Sequence, residues 1–199
     1  MQLKPGITIY FVRHGQTQWN ARGLAQGSSD IELNNTGREQ ARKNGERLAD
    51  LVKGADPAKL DYVTSPMKRA KETMEILRAG LGLPAADYTI DRRLKELGFG
   101  VFEGTSWADY AKRLTDAEQK TGADPWAFAA EGGESYAGLS ARALPFCREA
   151  TRDTVVASHG GISRCLLVAM TGMKPIEAIN MVIPQDRIMV LRGKDLTWG

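Results

Sequence analysis

Residues 7–20 read ITIYFVRHGQTQWN, and this stretch decides the fold. A run of β-branched, aliphatic and aromatic side chains breaks off at Arg13-His14-Gly15. Such a run predicts a buried strand that delivers polar side chains at its C-terminal end, followed by a turn. In open α/β sheets that edge is where ligands bind. The chain contains 2 histidines, and the second, His159, has the same setting: TVVAS at 154–158 before it, Gly160-Gly161 after it. Two strand-end histidines, each followed by glycine, predict one shared site. A strand-end histidine taken alone is more often a structural hydrogen-bonder than a nucleophile, so the rest of the chain must be read with it.

Composition narrows the class. With 199 residues, 42% of them hydrophobic, the chain is expected to form one core and a single domain over 1–199. The formal charge of +3 is small beside 27 Lys+Arg and 24 Asp+Glu, and acids are interleaved with bases. That pattern argues against a nucleic-acid partner. Cys147 and Cys165 lack metal-ligand or redox spacing and read as reduced core thiols. No apolar stretch approaches the ~20 residues of a membrane span. The start MQLKPGITIY does not resemble a signal peptide, so no membrane association and a cytoplasmic location are expected.

Outward from the first strand, 21–35 is rich in Gly, Ser, Asn and Asp and reads as a loop over the site edge. Thr36-Gly37-Arg38-Glu39 predicts a capping box. Ala41, Gly45, Leu48 and Val52 then form one helical face that ends at Gly54. A strand over 60–64 leads to Ser65-Pro66, read as the start of a helix with Ala70, Met74, Leu77 and Leu81 inward. A third strand is expected over 88–94. Residues 105–135 show no sustained periodicity and predict short helical pieces and loop, a variable segment facing the substrate. Ser135 is expected to cap a helix with Tyr136, Leu139, Ala143 and Phe146 inward, kinked or split at Pro145. The strand 154–158 enters a helix over 162–170 that Gly172 ends, and 187–191 is a last strand. Strands alternating with helices predict a three-layer α/β/α domain on a mainly parallel sheet.

Arg13 and Arg69 are guanidiniums suited to phosphate oxygens. The helix start beyond Gly160-Gly161 favours anions. Positive neighbours should keep both histidines neutral, and a neutral imidazole is a nucleophile.

FVRHGQTQWN, AQGSSDIELNNTGREQA, SPMKRAKET, LKELGFGVFEG and VVASHGG occur in that order between Ile7 and Arg164. In this the chain resembles the histidine phosphatase superfamily, phosphoglycerate-mutase-like branch. The resemblance implies a phosphoryl-transfer enzyme on that fold, with His14 taking up the phosphoryl group. Arg13, Arg69 and His159 match the residues that stabilise it, and Glu96 matches the acid that protonates the leaving oxygen and then activates water. Asn20 and Gly160 fall where the family contacts phosphate oxygens, and Gln26-Gly27 where its phosphatases line the pocket. Gln16 departs from the glutamate commoner there. Glu103, seven residues beyond Glu96 in a similar setting, competes for the acid's role. The expectation is a phosphomonoesterase that acts on a small phosphorylated substrate with no metal and no other cofactor. A mutase is the runner-up, with Lys112, Arg113 and Lys120 as carboxylate partners, and a catalytically idle phospho-ligand binder comes third.

Overall fold

The apolar run forms strand β1, Thr8–Arg13, with Ile9 and Val12 fully buried. The computed structural model describes residues 1–199, except the side chains of Ala117 and Thr121. Helices α1 (Gln18–Ala21) and α2 (Asn35–Leu51) follow, then β2 (Asp61–Thr64), α3 (Lys68–Gly80) and β3 (Thr89–Ile90). The second half holds α4 (Trp107–Thr121), α5 (Tyr136–Glu149), β4 (Thr154–Ser158), α6 (Gly160–Thr171), α7 (Pro175–Asn180), β5 (Ile188–Arg192) and β6 (Asp195–Trp198).

The six strands form one sheet in the order β3-β2-β4-β1-β5-β6. The β3, β2, β4 and β1 pairings are parallel, while β5 and β6 join antiparallel. Successive residues of a strand point to opposite faces, and the core divides accordingly. Ile9, Phe11 and Val156 pack with Leu139 of α5 and Ile162 and Leu166 of α6. Tyr10, Val12 and Val155 pack on the other face with Leu48 of α2 and Met74 and Leu77 of α3. This is the three-layer α/β/α arrangement. Each fully buried Leu or Ile contributes about 1.5–3 kcal/mol, so the sheet is held from both sides.

Register does the rest. Arg13 lies opposite Ser158 in the β1–β4 ladder, and the His14 N–H donates to the Ser158 carbonyl at 2.8 Å. His14 and His159 therefore leave the sheet at the same level.

Several local expectations are corrected. Asn34, not Thr36, caps α2, its side chain accepting from the Gly37 N–H. Helix α3 starts at Lys68 rather than at Pro66, and the Ser65 hydroxyl turns inward to His159. The third strand shrinks to Thr89–Ile90, with a 3₁₀ turn over Arg92–Leu94. Residues 107–121 form a full helix, capped by Ser106 and closed by Gly122 at φ 66°. Its apolar spacing is confined to Trp107, Tyr110 and Leu114, so only its first two turns carry a periodic signal. Helix α5 runs unbroken through Pro145. Interior proline costs roughly 3 kcal/mol; here Tyr136, Leu139, Ala143, Phe146 and Cys147 are buried along the helix and hold it together. Among the described residues no helix is long and apolar enough to cross a membrane.

Candidate active site

A cleft of about 480 Å³ opens at the C-terminal edge of the sheet. Arg13, His14, Asn20, Gln26, Gly27, Arg69, Glu96 and Gly160 all line it. His159 does not; it lies fully buried behind His14, ring centroids 5.2 Å apart in an edge contact.

His14 is 2% exposed. Its Nδ1 lies 2.8 Å from the carbonyl oxygen of Gly15. A carbonyl only accepts, so Nδ1 carries the hydrogen and the lone pair is on Nε2. That lone pair accepts from Arg69 Nε at 3.2 Å. Burial, then the charges of Arg69 and Arg13, holds His14 well below the ordinary histidine value. His159 is lowered likewise, by burial first and then by Arg69. The loop carrying His14 is pinned against α2: a Cβ on Gly15 would meet the Gly37 carbonyl oxygen at 2.1 Å, so only glycine fits.

Arg69 arrives from the first turn of α3 and is fully buried. Its Nη1 donates to the Ser29 carbonyl at 2.7 Å and its Nη2 to the Gly27 carbonyl at 2.9 Å. Three of a guanidinium's five N–H groups are thus committed and two remain. Arg13 donates through Nη1 to the Ile183 carbonyl, and its buried Nε has no partner. Burial, with Arg164 beside it, brings Arg13 down to about 10, which leaves it cationic at neutral pH.

The two candidate acids separate cleanly. Glu96 Oε1 accepts from the Leu97 N–H at 2.8 Å and the Gly161 N–H at 3.1 Å, facing the cleft from the N-terminus of α6. Glu103 instead accepts from the Ser28 N–H (2.7 Å), the Ser29 hydroxyl (2.8 Å) and the Phe99 N–H (3.2 Å). It fixes the loop whose carbonyls grip Arg69. The Gly161 N–H expected to meet an anionic ligand is spent on Glu96.

Among the described residues of the segment 105–135, Trp107 alone lines the cleft. Glu134 pairs with Arg142, whose Nη2 also donates to the Glu96 carbonyl at 3.1 Å. Glu134, at the end of that stretch, thereby braces the acid from behind, while Trp107 at its start faces the cleft. The far wall is residues 180–185, with Leu24 and Ala25. Sequence reasoning missed this wall, an irregular run in which Val182 is 86% exposed. It also missed Gln185, whose Nε2 donates to the His14 carbonyl (3.0 Å) and Asn20 Oδ1 (3.1 Å). Arg164 was missed as well: a cation inside an apolar helix, four residues after Gly160 and so on the same face. Lys112 and Lys120 pair with Asp116 on the exposed side of α4, away from the cleft.

The chain is similar to known proteins along nearly its whole length. The family model described as histidine phosphatase superfamily (branch 1) matches residues 9–198. The chain is 34% identical over 182 residues, 84% of its length and 76% of the relative's, to a probable phosphoglycerate mutase GpmB of Salmonella paratyphi C. It is 30% identical over 193 residues, 94% of its length and 92% of the relative's, to a 2,3-bisphosphoglycerate-dependent phosphoglycerate mutase of Methylocella silvestris. Among solved structures, a mycobacterial glucosyl-3-phosphoglycerate phosphatase in complex with VO3 superposes with a TM-score of 0.76 at 26% identity, covering 98% of this chain and 96% of that one. TTHB049 from Thermus thermophilus gives 0.70 at 26% identity, covering 96% and 98%. A match over nearly the whole length, on a fold whose strand ends bring both histidines together, places the chain in the histidine phosphatase superfamily, branch 1.

Proposed function

We propose that the protein is a phosphomonoesterase that hydrolyses a small phosphorylated metabolite through a phosphohistidine on His14, without a metal, in the cytoplasm. The observation that carries the reading is His14 itself. It is neutral, fixed in the tautomer that puts the lone pair on Nε2 against Arg69 Nε, and set in a cleft with Arg13, Arg69 and Glu96.

In this reading the Arg69 Nε–H turns from Nε2 to a phosphoryl oxygen as substrate enters, Nε2 attacks phosphorus and the ester oxygen leaves with a proton from Glu96. Arg69 turns its two spare N–H groups, and Arg13 its unpaired Nε, to the phosphoryl oxygens. These donors are already in place, so little reorganisation accompanies the developing charge. Asn20, Gln26, Gly27 and Gly160 surround the same group. Glu96, now ionised, takes a proton from water as water attacks the phosphohistidine, releasing phosphate and restoring His14. The guanidiniums supply the positive charge that a metal ion supplies in metallophosphatases.

A mutase is the second reading, favoured by the names of the two curated relatives. Against it stands the cleft: among the described residues of 105–135 none beyond Trp107 lines it, and Lys112 and Lys120 of α4 pair with Asp116 instead. A mutase must keep water off the phosphohistidine while product turns over. With 3-phosphoglycerate and catalytic 2,3-bisphosphoglycerate, the protein should release inorganic phosphate and form little 2-phosphoglycerate. Fast isomerisation with negligible phosphate release would make it a mutase. No turnover of any phosphate ester would leave a binding domain.

A further inference from the structure

Arg142 stands in the middle of α5 and does not line the cleft. Its Nε donates to Glu134 Oε1 at 2.7 Å and its Nη2 to Glu134 Oε2 at 2.8 Å, a parallel two-pronged pair. The other edge of the guanidinium meets the chain that carries the acid. Nη1 donates to the Arg93 carbonyl at 2.6 Å, and Nη2 gives its second hydrogen to the Glu96 carbonyl at 3.1 Å. Glu134 is fixed in turn, because its own backbone N–H donates to the Gly98 carbonyl at 2.8 Å. A separate ion pair, Arg93 with Glu149 at 2.8 Å, already fastens α5 to this part of the chain. Fastening the helix does not by itself account for what Arg142 holds.

The Glu96 carbonyl and the Leu97 N–H are the two ends of one peptide unit. That unit is planar and trans, so the two groups point in opposite directions. Arg142 holds the carbonyl end, and the N–H end donates to Glu96 Oε1 at 2.8 Å. The other donor to the carboxyl is the Gly161 N–H, 3.1 Å from Oε1 and 3.2 Å from Oε2. Glu96 sits on irregular chain between the 3₁₀ turns Arg92–Leu94 and Gly100–Phe102. Leu94 and Leu97 are buried, and the Ser158 hydroxyl donates to the Leu94 carbonyl at 2.8 Å. Those contacts seat the loop in the core but leave the 96–97 unit free to rotate about its flanking bonds. Arg142 removes that freedom. A charged donor on the carbonyl also polarises the unit and strengthens the N–H at its other end.

We propose that Arg142, held by Glu134, is a positioning residue for the acid: by anchoring the Glu96 carbonyl it fixes the peptide unit whose N–H aims the Glu96 carboxyl at the leaving oxygen. This rests on the phosphatase reading, in which Glu96 protonates that oxygen and later takes a proton from water. The reaction and its protons are unchanged, and Arg142 touches neither substrate nor reacting atoms. What it supplies is orientation, through a rigid planar fork that a lysine does not have.

Two esters test it, glycerol 3-phosphate with an alkyl leaving group and p-nitrophenyl phosphate with an aryl one. In Arg142→Met, kcat for the alkyl ester should fall about 10- to 100-fold with little change in KM, and the aryl ester should lose far less. Arg142→Lys keeps the charge without the fork and should recover little; full recovery would overturn the anchoring. Glu134→Gln should give a smaller loss of the same alkyl-selective kind, and it carries the test if neither Arg142 variant folds. Because Arg142 acts through Glu96, adding Arg142→Met to Glu96→Gln should slow the alkyl ester no further. Equal losses on the two esters, or losses that multiply in the double variant, overturn the proposal. The Gly161 amide gives a readout without turnover: its ¹H–¹⁵N signal should move in Arg142→Met as it does in Glu96→Gln. If the wild type turns over neither ester but that signal moves, the phosphatase reading fails and the positioning of the carboxyl stands. A Gly161 signal that stays put in Arg142→Met overturns the positioning.

Discussion

Ser65 Oγ lies 2.6 Å from His159 Nε2, and both side chains are fully buried. The same hydroxyl oxygen accepts from the Met67 N–H at 3.3 Å. With that donor already pointing at it, the hydroxyl's own hydrogen is free for His159. This assignment leaves one unmet group, the N–H at His159 Nδ1, which has no partner. The opposite tautomer would strand the serine hydrogen as well as a ring lone pair. Ser65 thus sets His159 to present an unused buried donor within edge contact of His14.

Removing that hydroxyl should therefore disturb the reaction without touching substrate. Partners that orient a functional histidine from behind are typically worth about 10- to 100-fold. Ser65→Ala should lower kcat within that range with little change in KM, and Ser65→Thr should recover most of it. The ¹⁵N shifts of His159 should report loss of the single tautomer in the alanine variant alone. A kcat unchanged in Ser65→Ala would remove the role.

The phosphoryl acceptor is expected to be His14 Nε2. Brief exposure to ³²P-labelled ester should give a label that is labile in acid and stable in base, mapping to His14 and lost in His14→Ala. Label on His159 or on a serine would contradict the geometry, in which only His14 of the two imidazoles lines the cleft.

Glu96 and Glu103 should part company in kinetics. Proton transfer by a placed carboxyl contributes ~10²–10⁴-fold, so Glu96→Gln should slow alkyl phosphates by that order and aryl phosphates far less. Glu103→Gln should act through the loop that holds Arg69, with equal effects on both ester types. A third variant tests position rather than chemistry. A Cβ on Gly161 would meet Glu96 Oε1 at 2.3 Å, so Gly161→Ala should reproduce the alkyl-selective loss while leaving the carboxyl in the sequence. Equal losses on both esters from Glu96→Gln would move the acid elsewhere.

What the sequence made legible follows the strength of local pattern. Strands β1 and β4 could be read almost to the residue because both are continuous apolar runs closed by polar residues and glycine. They carry the two histidines and Arg13, so the centre of the site came with them. Arg69 was legible because a helix start follows a short strand. The helix over 107–121 was not, since its second half, Thr115–Thr121, offers no apolar stripe to read. The 180–185 wall was invisible for a different reason. Irregular backbone has no period, and what places it is tertiary: Arg13 and Arg164 holding the carbonyls of Ile183, Ile179 and Met181. The missed α2 cap shows a close competition, because Asn34 and Thr36 are both good N-cap residues and only the Gly37 N–H decides between them.

Mild acid should destabilise the fold through the same two imidazoles. In the folded protein burial and the arginines hold His14 and His159 well below the ordinary value of 6.5. In the unfolded chain each returns to about 6.5. Below that pH the unfolded state binds up to two more protons than the folded state, so unfolding is favoured as pH falls. The slope of stability against pH equals 2.303RT times the protons bound in the unfolded state minus those bound in the folded state. It is positive here: the contribution is complete above about pH 6.5 and is drawn down below it. Two protons correspond to at most ~2.7 kcal/mol per pH unit once both unfolded histidines are charged. Urea denaturation between about pH 7.5 and 5.5 should show stability nearly level at first and then falling from near 6.5, before carboxylates enter at about pH 5. His14→Asn should halve the steep part, because one buried imidazole remains. A level curve down to about pH 5.5 would mean that both imidazoles take up their protons inside the folded protein. The neutral nucleophile on which the hydrolytic reading depends would then be lost in mild acid.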